Sequence, residues 1–531
     1  FRVEGTLESL KTEINDAFNT FASDETPTSG FLSEFSGVSA AYSVRKLGDS
    51  PVCMRVRKTV SSVDYYQVIG FDSNGDLDTA AIEDFGGSAD VHVQTWYDQS
   101  GNGRHQVQDT NADQPKIYDG TDGIVYENGK PALEFDSDHM GVASTDTFDE
   151  LSVFVVANKP TTQANSPFVS RLGNGAGAGT KKGDFHLRSQ SAFIRTIADD
   201  TDGSSYIYTE PNTHSVFSFL WDGSVQSAID TPLGDGEAVV RIDSTIVDQT
   251  AENGNFNGGT DELRINATHT VATDLGRYQE VLVYASDKSS DLTAIESNIN
   301  NYYLIYQSAS TSPATGLLAD HPASAAYSVR QLGDALLCMK VASGATGNPT
   351  KNIGFKNGVL DTAAIEDFCG SNDGFVATWY DQSGNDNNAD QVTHTKRPKI
   401  FDQQSGIVKE NGKPALELDG VNDGLSLSSV VAASSQKYTF TTHAVDSSDA
   451  AWSIFYETAS TDVVPLGENG GTSPISFGYT LSDAFRDGTS LVSDINRTGL
   501  YDTYSPAGQS LTTLDFSGDG IGGFFDRTSF L

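Results

Sequence analysis

The sequence predicts an all-β protein of tandem two-sheet sandwiches preceded by a short N-terminal helix, and three observations carry that reading. The chain repeats itself at long range, its apolar residues fall in short β-branched runs, and Gly, Asn and Asp clusters bound those runs as they bound turns. With 37% hydrophobic and 10% aromatic residues and 51 Gly, the composition is that of a folded, turn-rich chain and not a disordered one. At 531 residues it is too long for one hydrophobic core.

The repeat sets the domains. AAYSVR occurs at Ala40–Arg45 and Ala325–Arg330, DTAAIEDF at Asp78–Phe85 and Asp361–Phe368, TWYDQSGN at Thr95–Asn102 and Thr378–Asn385, and ENGKPALE at Glu127–Glu134 and Glu410–Glu417. The offset drifts only from 285 to 283, so a whole domain has been duplicated. The expected divisions are an N-terminal segment over 1–30, a complete module over 31–306, a Ser/Thr/Pro linker over 307–315, and a second module over 316–531. By the repeat offset the second module lacks about 60 residues of the first. Its closing strands are therefore expected either from further chain or from another chain, the former being preferred, because a sandwich without them exposes an edge.

Within the module, Leu151–Ala157, Ala238–Val247 and Tyr278–Tyr284 read as strands. Two helices interrupt them. Asp78 caps LDTAAIEDF, and Asp291 caps a longer helix with Leu292, Ile295, Ile299 and Tyr302 on one face. Before the first module, Leu7, Leu10, Ile14, Phe18 and Phe21 recur every three to four residues behind Thr6. That stripe suits either self-association into a homo-oligomer or docking on its own module.

Charge excludes several functions. Seventy-two acidic against 33 basic residues give a net charge of -39, which repels phosphate backbones and anionic lipid, so neither nucleic acid nor membrane is an expected partner. No run reaches the roughly 18 apolar residues of a membrane span. Three cysteines form no disulfide framework, and the equivalent Cys53 and Cys338 read as small buried apolar groups.

The candidate ligand-binding residues lie in the repeated loop: Trp96, Tyr97, Asp98, Gln99 and Asn102, matched by Trp379, Tyr380, Asp381, Gln382 and Asn385. Aromatic faces beside amide and carboxylate groups are what sugar recognition uses. The same string also reads as a strand end entering an Asx turn, with the Trp in the core and the Asp bonded to its own loop. Asp72, Asn74, Asp76 and Asp78 have the alternating spacing of a calcium loop, whereas the second copy, Lys356–Asp361, keeps only an Asn-Gly turn. Calcium is the one cofactor considered. NGAGAG at Asn174–Gly179 lacks the Lys and the strand-loop-helix setting of a phosphate cradle.

YDQSGNGRH resembles the matching loop of the catalytic β-sandwich in the fungal α-L-arabinofuranosidase B family, a concanavalin A-like jelly roll related in architecture to LamG modules. AAYSVR, IGFD, LDTAAIEDF, TWYDQSGN and ENGKPALEFD together resemble a tandem module of bacteriophage fibre or capsid-appendage proteins and marine bacterial surface proteins. The first resemblance implies fold, and carries over no catalytic carboxylate, since those lie outside the matching loop. The second implies a virion or extracellular location, with host-surface glycans and other virion proteins as partners. The expectation is a structural appendage protein with tandem carbohydrate-binding modules. A glycoside hydrolase with two carboxylates about 5 Å apart and a purely architectural protein are the alternatives; the latter requires Tyr97, Asp98 and Gln99 to be buried or engaged in protein contacts.

Overall fold

In the computed structural model the described residues are 29–143, 150–159, 166–171, 185–189, 193–198, 205–207, 214–221, 237–251, 262–267, 275–307, 315–419, 421–431, 437–445, 453–458, 463–467, 479–490, 509–518, 521–525 and 529–530. The Leu7–Phe21 stripe and the NGAGAG loop lie outside them. The chain divides into two compact units, Phe1–Ile305 and Tyr306–Leu531.

The first unit is a twisted antiparallel assembly of short strands. The strands used below are β1 (Val38–Ser43), β2 (Val52–Val60), β3 (Val63–Gly70), β4 (Val91–Trp96), β5 (Gln106–Val107), β6 (Lys116–Asp119), β7 (Leu133–Asp136), β8 (Met140–Ala143) and β9 (Leu151–Asn158). They continue with β10 (Ser166–Arg171), β11 (His214–Trp221), β12 (Glu237–Ile242), β13 (Thr245–Ala251), β14 (Glu262–Ile265) and β15 (Leu275–Tyr284). β13, β12, β11, β9 and β15 pair in that spatial order, and β15 then pairs with both β1 and β7. From β7 the network passes through β6 to β4, β2 and β3. β4 also pairs with β5, which leads through β8 and β14 to β10. The two branches of this network meet where Phe168 of β10 packs on Phe217 of β11, the rings tilted by 42° with centroids 4.4 Å apart. Trp96, Tyr42, Tyr278, Tyr284, Phe135 and Phe154 fill the interior, each contributing roughly 1.5–3 kcal/mol by leaving water.

β15 is paired along both edges and buried on both faces over nearly its whole length, which suits its continuous apolar run VLVY. Ala238–Val247, expected as one strand, is a hairpin: β12 ends at Ile242, and Asp243 and Ser244 turn the chain with φ of 50° and 65°. Short polar residues tolerate that left-handed conformation, and the run therefore breaks where Asp and Ser stand side by side.

The helices α1 (Thr79–Gly86) and α2 (Leu292–Tyr303) lie where expected. Asp78 caps α1, accepting from the Ala81 N–H at 3.0 Å. Asp291 makes no side-chain cap and pairs with Lys288 Nζ at 3.2 Å instead. α2 buries Leu292, Ile295, Ile299 and Tyr303, so Tyr303 and not Tyr302 completes the inner face.

The second unit repeats the opening of the first with β16 (Leu337–Ser343), β17 (Thr350–Lys356), α3 (Thr362–Cys369) and β18 (Gly374–Trp379). Asp361 caps α3 on Ala364 N–H as Asp78 caps α1. Further along, β19 (Lys437–Val445), β20 (Tyr479–Arg486), β21 (Gln509–Gly518) and β22 (Ser529–Phe530) form a separate sheet in the order β20-β21-β19-β22. Cys338, Met339, Val341, Ile353, Ile365, Val376, Ile400 and Leu416 share one core. All three cysteines are free and buried, and burial raises the Cys369 thiol to about 11. The architecture is thus mostly antiparallel β with few helices, as a β-sandwich protein requires. No helix among the described residues is long and apolar enough to cross a membrane.

Candidate functional site

The repeated loop follows β4 in the first unit and β18 in the second, and it turns inward. Trp96, Tyr97, Asp98 and Gln99 are at most 2% exposed, and Trp379, Tyr380, Asp381 and Gln382 at most 8%. Asp98 Oδ1 accepts from the N–H groups of Ala41 and Ser100, both at 2.9 Å; its Oδ2 accepts from Ser100 Oγ at 2.7 Å and Arg104 N–H at 3.0 Å. Asp381 repeats the set with Ala326 and Ser383 N–H, Ser383 Oγ and Asn387 N–H. Gln99 accepts from Leu47 N–H and donates to the carbonyls of Ser43 and Arg45; Gln382 does the same with Leu332, Ser328 and Arg330. Asn102 and Asn385 are exposed, but their amides donate to the carbonyls of residues 38 and 39 and of 323 and 324.

The loop is therefore a latch that ties the end of β4 to β1 in the first unit and the end of β18 to the segment 323–328 in the second. In this geometry the rings of the string face inward and its carboxylate and side-chain amide groups are bonded to the protein, while Trp379 Nε1 is buried without a partner. The exchange of His105 for Asn388 has the same explanation. His105 Nδ1 accepts from Asp98 N–H at 3.1 Å, and Asn388 Oδ1 accepts from Asp381 N–H at 3.0 Å. What the position needs is an acceptor.

The four residues spaced like a calcium loop are likewise bonded within the fold. Asp72 Oδ1 accepts from Asn74 and Asp76 N–H at 2.8 and 2.9 Å, an Asx turn whose backbone bonds hold this carboxyl below the usual carboxylate range. Asn74 donates to Asp72, Asp76 accepts from the Tyr302 hydroxyl, and Asp78 caps α1. Among the described residues no group of three or more His, Cys, Asp or Glu is arranged to hold a metal ion.

Two buried charge clusters escape a reading by sequence alone. In one, Arg45 forms a bidentate pair with Glu280 of β15, at 2.7 Å from Nε and 2.9 Å from Nη2, and its Nη1 donates to Asn298 of α2 at 2.8 Å. Ser43 Oγ and the Tyr303 hydroxyl also donate to Glu280 Oε2, while the rings of Phe31, Tyr302 and Tyr303 surround the guanidinium at 5.1–5.7 Å. Burial, then the Glu280 charge, pushes the Tyr303 hydroxyl well above the ordinary range. The clue in the sequence is the Arg that ends the apolar block AAYSVR. In the other cluster Glu296 takes bonds from Ser218 and Ser244 at 2.7 and 2.8 Å and pairs with Arg241 at 3.1 Å. Burial raises its carboxyl, and raises neighbouring Asp243 to about 7. Glu280 and Glu296 thus serve packing between strands and α2.

No protein-family model and no curated protein matches this chain. Solved structures similar in part include an arabinofuranosidase complexed with arabinofuranosyl-alpha-1,2-xylobiose, at 14% identity and TM-score 0.37 over 74% of this chain and 78% of that one. A Trypanosoma rangeli sialidase aligns at 11% identity and TM-score 0.27 over 45% and 43% of the two chains. The binding domain of Paraclostridial Mosquitocidal Protein 1 aligns at 10% identity and TM-score 0.32 over 63% and 74%.

Proposed function

We propose that this chain is a non-enzymatic structural protein of an extracellular appendage, of the bacteriophage fibre or virion-appendage class, whose tandem sandwiches act as spacers and as host-surface recognition modules. One observation carries the architectural half. The string repeated most conspicuously along the chain is, in both units, a buried latch whose Asp and Gln side chains are bonded to the backbone. Repetition of the module supports binding by avidity, because two weak sites on one chain reinforce each other. The strong negative charge suits a screened, salty exterior.

Glycan contact is assigned to a different surface from the latch. The β2–β3 hairpin of the first unit exposes Val60, Val63, Tyr65 and Tyr66, and Arg55 lies 4.4 Å over the Tyr66 ring. Tyr66 with the guanidinium beside it offers a stacking face and donors to hydroxyls, and Tyr65 with Val63 and Val60 offers an exposed apolar patch on the opposite face of the hairpin. The test is a glycan array and a panel of arabinan and algal polysaccharides, with and without calcium, scored for retention and for released sugar. Retention without release, weakened at least tenfold by a Tyr65→Ser/Tyr66→Ser double variant, is expected. Released sugar points to a hydrolase, and absence of both signals leaves a purely architectural role.

A further inference from the structure

One face of the β2–β3 hairpin gathers cations on an otherwise acidic chain. Side chains of a strand alternate between its faces, so Arg55, Arg57 and Thr59 of β2 share a face with their register partners Val68, Tyr66 and Asp64 of β3. Arg57 is buried and fully engaged. Its Nε donates to Gln114 at 2.7 Å, its Nη2 to the Asn111 carbonyl at 3.1 Å and its Nη1 to the Thr59 hydroxyl, with Asp64 3.4 Å away. Arg55 is half-buried and differs: its Nη1 donates to Gln94 at 3.3 Å and its guanidinium lies 4.4 Å over the Tyr66 ring, but it forms no ion pair among the described residues. Gln94 donates in turn to Asp109 at 2.9 Å, so that carboxylate meets Arg55 through an amide and not directly. The Nε and Nη2 groups of Arg55 bond to nothing among the described residues. They form the same edge with which Arg45 grips the Glu280 carboxylate at 2.7 and 2.9 Å.

The second unit keeps this charge while changing the residues that supply it. Lys340 stands at the Arg55 position, since the neighbouring Met54 and Met339 pair alike, with Ile69 and Trp96 in one unit and with Ile353 and Trp379 in the other. Lys340 is half-buried and has no ion pair or hydrogen bond among the described residues; Asp390 and Arg397 are the charges that act on it. Ala342 replaces Arg57, and Arg397 replaces Gln114. Gln114 donates to the Gln108 carbonyl at 2.7 Å, and Arg397 Nε donates to the equivalent Gln391 carbonyl at 2.7 Å. A guanidinium lost from one segment thus returns from its neighbour. Each unit carries two cations here, in a chain with 33 basic and 72 acidic residues. The ring has no counterpart, because Thr350 stands at the Tyr66 position.

We infer that this face binds a carboxylate-bearing polysaccharide, a polyuronate; the inference rests on the glycan-recognition reading above and names the class of ligand. One uronate carboxylate takes the Nε–Nη2 edge of Arg55, as the Glu280 carboxylate takes that of Arg45. Its sugar ring packs on the open side of Tyr66, which is 38% exposed. The planar guanidinium fork matches the two oxygens of a carboxylate, a geometry that a sugar bearing hydroxyls alone does not present. Lys340 supplies a point charge without a ring, so the second unit is the weaker site. The net charge of -39 opposes a polyanion at long range, but at about 0.15 M salt screening acts over about 8 Å and spares the contact pair.

The experiment titrates the 531-residue chain by calorimetry with oligosaccharides of alginate and of polygalacturonate, the methyl ester of the latter, a sulfated galactan and arabinan. Chelator is present throughout, so that no divalent cation bridges the carboxylates. Expected is binding of at least one of the two uronates, about tenfold tighter than the methyl ester, the sulfated galactan or arabinan. Arg55→Gln should remove that preference and leave the weak binding of the ester unchanged. Tyr66→Ser should weaken uronate and ester alike, and Lys340→Gln should lower uronate binding less than Arg55→Gln does. The ester comparison uses the wild-type protein, so it tests the inference even where a variant misfolds. Ester or arabinan bound as tightly as uronate overturns this inference and leaves the glycan reading standing, whereas no binding of any glycan overturns both. Sulfated galactan bound as tightly as uronate overturns the carboxylate assignment, and a uronate preference that survives Arg55→Gln overturns the site.

Discussion

Asp98 makes the sharpest prediction at the residue scale. Its carboxylate satisfies four donors in a dry interior, so Asp98→Ala leaves those donors unpaired and should lower the stability of the first unit by about 3 kcal/mol in denaturant unfolding. His105→Asn should cost less than about 1 kcal/mol, because the second unit already uses Asn388 as the acceptor there. A pH effect comes from Asp138 and its counterpart Asp423, each bonded to a backbone N–H two or four residues earlier and each raised by burial to about 6. A carboxyl whose folded value lies above its unfolded one holds its proton more tightly when folded. Its stabilising protonation is present below about 4 and is lost as pH rises through about 6. Asp138→Asn removes this dependence, so its melting temperature relative to wild type should climb as pH goes from 4 to 7; a flat difference would show that Asp138 does not titrate in this window.

Elements are placed by caps and turns that the residues announce. Asp78→Ala and Asp361→Ala should each cost about 1 kcal/mol, read in the transition of the unit that contains them, since each removes the acceptor for an N-terminal N–H of its helix. Gly30 and Gly316 open their modules with φ near +73° and +72°, where a Cβ would lie 2.9 and 2.6 Å from the carbonyl oxygens of Leu47 and Leu332. Substitution at either is strained by backbone conformation and by space together. Asp291 shows where such reading stops: the residue type suits a cap, yet a lysine three residues earlier takes its carboxylate. The break at Asp243–Ser244 was visible only as two short polar residues inside an otherwise strand-like run.

For the molecule as a whole, each unit has its own core, and thermal or denaturant unfolding should resolve two transitions. Asp98→Ala should move one and Asp381→Ala the other; a single shared transition displaced by both would mean that the units unfold as one. The buried rings and the continuous apolar run of β15 contribute to the first unit's stability by leaving water.

Much of this was legible in the residues. Duplication followed from identical blocks, the β class from short runs bounded by turn residues, the α1 cap from Asp78, and the burial of Cys53 and Cys338 from their apolar setting at equivalent positions of the repeat. Those features are local or arise from comparing the chain with itself, and neither requires knowing which side of a strand faces the core. The surroundings of the WYDQSGN loop were visible only in the tertiary structure. A string of aromatic, carboxylate and amide groups reads equally as a sugar site or as a latch until one sees that it faces the backbone of the first strand. The Arg45–Glu280 pair was equally hidden: its partners stand 235 residues apart and meet only because β15 closes the sheet beside β1. Long-range pairing is the work of strand order, and strand order is carried by packing, not by any local pattern.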